Sequence, residues 1–154
     1  MAREMAVQML YQLDLGGASL REVHAAFDVA EYLALRREEA APGEAASACF
    51  DEALLALEQA REMTSEVAAR LEEIDARIRS QAEHWRLERM PAVDRNILRL
   101  AVWELFHATD VPPLVVVDEA VELAKRFGAE QSGRFVNGLL DGLMKARTGS
   151  EASA

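Results

Sequence analysis

The chain has 154 residues, 51% of them apolar and 29% charged, enough for one domain with a substantial core. A formal net charge of −10 argues against a protein that coats nucleic acid indiscriminately. The single cysteine, Cys49, leaves no intrachain disulfide or cysteine-based metal cluster and fits a reducing cytoplasm, and no apolar run reaches the ~18 residues of a membrane-spanning helix.

In chain order, helical spacing dominates. Ala6, Met9, Leu10 and Leu13 form the first stripe, stopped by Gly16-Gly17. Ser19-Leu20-Arg21-Glu22 has the pattern of a capping box and opens a second helix to about Arg37. EEAAPGEAAS, with Pro42 and Gly43, reads as an exposed mobile loop that includes Glu38 and Glu39. A long helical region runs from about Ala45 to Trp85. Periodicity leaves open whether it is one helix or two, with Met63-Thr64-Ser65 the candidate break. Pro91 suits a first helical turn, and Val93, Ile97, Leu98, Ala101, Leu105 and Phe106 form the next stripe. Pro112-Pro113 precedes the stripe Val116, Val117, Ala120, Val121, Ala124 and Phe127, which Gly128 closes as a left-handed cap. Phe135, Val136, Leu139, Leu140 and Leu143 give the last stripe, and residues 148–154 read as a frayed, flexible tail. No alternating strand is present. The expectation is an all-α protein of six or seven packed helices, one domain over 1–147.

Catalytic and cofactor signals are missing. His24, His84 and His107 lack metal-site spacing, and no glycine-rich phosphate loop occurs. Glu72 and Glu73 are adjacent, so a helix points them apart. The expectation is a protein that is not an enzyme, with no cofactor and no metal.

Charge is unevenly spread. Residues 19–84 carry 7 Lys/Arg against 15 Asp/Glu, whereas residues 125–147 carry 5 Lys/Arg against 2 Asp/Glu. A solvated surface explains such asymmetry, and so does a localised basic patch. Single-stranded RNA is read by aromatic stacking, guanidinium groups and amides. Arg134, Phe135 and Asn137 bring those groups to the start of the last helix; Arg3, Gln8, Tyr11 and Gln12 lie on or beside the first. Ordinary packing is the competing explanation for Phe135, which falls on the apolar stripe.

The segments AREMAVQMLYQLDL, ERMPAVDRNILRLAVWELF and VPPLVVVDEAVELAKRFGAEQSGRFVNGLLDGL resemble the NusB transcription-antitermination family. The resemblance covers residues 2–15 and about 74–146, while 16–73 shows only compatible helices. It implies an all-helical fold of two small bundles. It also implies a non-catalytic factor that binds boxA RNA of ribosomal RNA operons together with a small-subunit ribosomal protein, NusE. That pair helps RNA polymerase read through terminators, and homodimers occur in some members.

Carried over by the resemblance, the RNA-binding positions are Arg3, Gln8, Tyr11, Gln131, Arg134 and Phe135. Tyr11 and Asp94 fall at partner-binding positions. Gln131 stands where the family is often acidic, which removes a repulsion of phosphate. The family's arginine-rich arm is reduced to Arg3 in MAREMAV, so the resemblance also admits a divergent protein-interaction module without boxA binding. A related helical domain precedes the catalytic domain of rRNA cytosine methyltransferases.

Overall fold

The computed structural model describes residues 1–42, 49–108 and 110–152. Among them are eight α-helices: α1 Ala2–Gly16, α2 Leu20–Ala26, α3 Val29–Glu39, α4 Phe50–Ala69, α5 Leu71–Gln81, α6 Ala92–His107, α7 Pro113–Phe127 and α8 Ser132–Ala152. A 3-10 turn, Leu87–Arg89, precedes α6. No strand occurs among the described residues, so the all-α expectation holds. The chain divides into two compact units, Met1–Ser65 and Glu66–Ala154.

In the first unit α1 buries Met5, Ala6 and Met9 completely, and it ends at Gly17, whose φ of 66° requires a residue without Cβ. Ser19 caps α2 as its sequence predicts. Its Oγ accepts the Glu22 N–H at 3.2 Å and donates to the Glu22 carboxylate at 3.0 Å. The single helix expected to Arg37 is two. Asp28 caps α3 by accepting the Glu31 N–H at 3.0 Å, so the chain restarts there. Glu38 and Glu39 belong to the end of α3 rather than a loop; Ala40, Ala41 and Pro42 follow the helix as expected, and the loop's remaining residues, 43–47, lie outside the described residues. A buried polar cluster ties α3 to α1, in which the Tyr32 hydroxyl donates to Glu4 at 2.9 Å and Arg36 donates to Glu4 at 3.3 Å. Burial, above all, pushes the Tyr32 hydroxyl up to about 12.

The long region after Cys49 breaks at Arg70, not at Met63–Ser65. Thr64 lies within α4, where its buried hydroxyl donates to the Ala60 carbonyl at 2.9 Å, one turn back, and caps no new helix. The Arg70 N–H lies 3.2 Å from both the Glu66 and Val67 carbonyls, and the backbone turns there. Helix also stops at Gln81 rather than Trp85. The following turn buries Leu87 and Met90, and Arg95 donates to both of their carbonyls at 3.1 Å.

In the second unit α6 is the central element, packed on α5, α7 and α8. Even its cations are internal. Arg99 grips Asp75 of α5 through two bonds of 2.9 and 3.0 Å and donates to Asn96 at 3.1 Å. Pro113 opens α7, where its missing N–H costs nothing. Gly128 is not a left-handed cap; its backbone is extended, with φ −92° and ψ −173°. Space requires the glycine instead, since an added Cβ would lie 2.6 Å from the Ser132 side chain and 2.7 Å from the Ala124 carbonyl. The close approach lets four residues turn the chain from α7 into α8. Val136, Leu139, Leu140 and Leu143 of α8 are buried as their spacing predicts. The helix continues to Ala152, through most of the segment expected to fray.

Candidate nucleic-acid interface

Within the second unit, the first turns of α6 and α8 and the Ala82–Arg86 turn enclose a cleft of about 800 Å³. Asp94, Gln131, Arg134 and Phe135 all line it, so four of the sequence-predicted residues meet here. Asp94 forms the floor. It is only 3% exposed, and its Oδ1 is buried without a hydrogen-bond partner. Burial raises its carboxyl above the usual carboxylate range, and a hydrogen bond from Ser132 opposes that shift. The Ser132 Oγ in turn accepts the Ala129 N–H at 2.9 Å. The turn that Gly128 permits therefore also fixes the carboxylate.

The rim is aromatic and polar. Phe135 is half-buried and Arg134 exposed. Phe135 meets the ring of Trp85 edge to face, with centroids 6.0 Å apart. Trp85, 58% exposed, is a candidate that the sequence reading missed. Its signal was available in HWRLERMPAVD, where a lone large aromatic stands in a polar stretch. Asn137 is exposed and does not line the cleft.

Arg3, Gln8 and Tyr11 belong to the first unit. Gln8 and Tyr11 are exposed and share a face of α1 with Leu15, at i, i+3 and i+7 spacing beside the buried stripe. Arg3 is half-buried. Tyr11 and Leu15 border a groove of about 460 Å³ against Val23 and Ala26 of α2. Tyr11 and Asp94, the two expected partner contacts, thus lie in different units.

The histidines act locally. His24 bonds Thr64 at 2.7 Å and His107 bonds Glu73 at 3.0 Å, while His84 is exposed. No group of three or more His, Cys, Asp or Glu side chains able to hold a metal occurs among the described residues. No helix among them is long and apolar enough to cross a membrane.

Fold and cleft together define a class: small all-helical proteins that gather aromatic, amide and charged groups at the start of a helix. The family model described as "NusB family" matches residues 1–145, and the chain belongs to that family. The transcription antitermination protein NusB of Sorangium cellulosum is 45% identical over 139 residues, covering 90% of this chain and 86% of the relative. That of Myxococcus xanthus is 40% identical over 140 residues, covering 90% and 89%. Among solved structures, one described as the antitermination factors NusB and NusE in complex with double-stranded RNA superposes with a TM-score of 0.68 at 28% identity, covering 94% of each chain.

Proposed function

We propose that this chain is a cytoplasmic, non-catalytic transcription antitermination factor. It binds boxA-type single-stranded RNA of ribosomal RNA operons together with a NusE-type ribosomal protein, and the pair promotes read-through by RNA polymerase. The observation that carries the reading is the α6–α8 cleft. Two partly exposed rings and a guanidinium at its rim suit an unstacked base and a phosphate. Membership of the family and the NusB–NusE–RNA structure support the choice of partners. Arg3, Gln8 and Tyr11 supply the α1 part of the RNA surface, with Tyr11 and Asp94 also meeting the protein partner.

Arg134→Ala tests the assignment by fluorescence anisotropy with a boxA-type RNA. The expected result is several-fold weaker RNA binding with an unchanged melting temperature, because the side chain is exposed. A large fall in melting temperature with unchanged RNA affinity would make Arg134 a structural residue instead.

A further inference from the structure

Two cavities in the second unit share one wall. Trp85 lines the α6–α8 cleft of about 800 Å³ and also a neighbouring cavity of about 550 Å³, which the turn between α5 and α6 forms with Arg79, Glu83, Arg86 and Glu88. The indole is 58% exposed, yet it is held. Its own N–H donates to the Ala82 carbonyl at 3.1 Å, and Arg95 pins the Leu87 and Met90 carbonyls further along the turn. The ring meets Phe135 at an interplanar angle of 66°, so its orientation is set before a ligand arrives. Preorganisation of this kind lowers the ordering cost of binding.

Each cavity also holds one available cation. Arg134 lines the first and Arg86 the second. Both are exposed, and neither forms an ion pair among the described residues. Glu88, the carboxylate nearest in sequence to Arg86, is taken by Arg79 at 2.9 Å, and the pull of Arg86 on it is the smallest of those acting. Apart from His84, Arg79 and Arg86 balance Glu83 and Glu88 in the second cavity. A cavity without net charge suits an uncharged base, with phosphate at its rim, better than a free anion.

We propose that Trp85 is the stacking platform for one base of a single-stranded RNA whose backbone passes from Arg134 in the first cavity to Arg86 in the second. This rests on the proposed function and extends the RNA surface beyond the α6–α8 cleft. A nucleotide within a strand has a phosphate on each side, so one cation in each cavity matches one stacked base between them. Every base has a π-face, so Trp85 adds affinity and fixes the path of the strand rather than reading its sequence.

The test measures binding of the full chain to a boxA-type RNA by fluorescence anisotropy at several salt concentrations, with a melting temperature for each variant. Trp85→Ala is expected to weaken binding roughly tenfold or more. Its salt slope and melting temperature should match the wild type, because stacking releases no counterions and the ring is largely exposed. Trp85→Phe should recover most of the affinity. Arg86→Gln is expected to lower the slope by about one. Trp85 is one of two tryptophans, so RNA should quench tryptophan fluorescence in the wild type and not in Trp85→Phe, a response that a merely structural ring does not give. Should Trp85→Ala fail to fold, the fluorescence response and the Arg86→Gln slope decide. RNA binding by the wild type with unchanged affinity in Trp85→Ala, a loss that Trp85→Phe does not recover, or an unchanged slope in Arg86→Gln overturns this inference and leaves the proposed function standing. A wild type that binds no RNA at any salt concentration overturns both.

Discussion

At the scale of single residues, Asp94 stands between two demands. The first turn of α6 favours a carboxylate through its unpaired N–H groups, yet burial raises the pKa above the ordinary 3.8. A folded pKa above the unfolded one means that the stabilising form is the protonated one. That stability is lost as pH rises through the folded value, so at pH 7 the ionised Asp94 weakens the fold. Asp94→Asn keeps an acceptor for Ser132 and removes the buried charge. It is therefore expected to raise the melting temperature at pH 7 while weakening NusE-type partner binding. A lower melting temperature at pH 7 would show that the carboxylate stabilises the fold in a way that burial alone does not describe. Asp94 was legible in the sequence as an acidic position in PAVD. Its burial and its bond from Ser132 were not, because they depend on groups that the chain brings back at the start of α8.

At the scale of elements, α8 serves two ends. Its first turn builds the cleft and its apolar stripe holds the unit together. Leu140 is fully buried, so Leu140→Ala is expected to cost about 2–5 kcal/mol in chemical denaturation. A cost below about 1 kcal/mol would mean that neighbouring helices collapse into the space easily. The stripe was readable because Val136, Leu139, Leu140 and Leu143 keep helical spacing without competition from polar residues. Breaks between helices were harder to read. The Asp28–Glu31 cap was written in FDVAEY and passed over, since the apolar pattern runs through it. AARLEE around Arg70 contains neither glycine nor proline, so the turn there follows from packing rather than from local preference. Gly128 was correctly read as the end of a helix but for a different reason, crowding against Ser132 in place of a positive φ.

At the scale of the whole molecule, charge and pH set the response. Burial first, and Arg61 second, lower the His24 pKa from 6.5. A neutral histidine is therefore favoured in the folded state. As pH falls below 6.5 the unfolded chain binds more protons, and stability declines until the folded pKa is passed. Melting temperatures at pH 7.5 and 5.5 should differ more in the wild type than in His24→Gln; equal differences would remove His24 as the cause. Asp94 acts in the opposite sense, so the comparison between variants isolates the histidine. The net charge of −10 was plain from composition, as was its confinement mainly to residues 19–84. Composition could not reveal that Arg95 and Arg99 of α6 are committed internally to carbonyls and to Asp75. On the proposed function, RNA binding by so acidic a chain would draw on a few placed cations, of which Arg134 is the one proposed at the α6–α8 cleft, rather than on a general positive field. The measurement that tests this most directly is a salt titration of boxA-type RNA binding by fluorescence anisotropy, with and without a NusE-type partner. The account predicts binding that tightens with the partner and weakens with salt by a slope of only a few phosphates. Intact partner binding with no RNA binding under either condition would contradict it and leave a protein-interaction module.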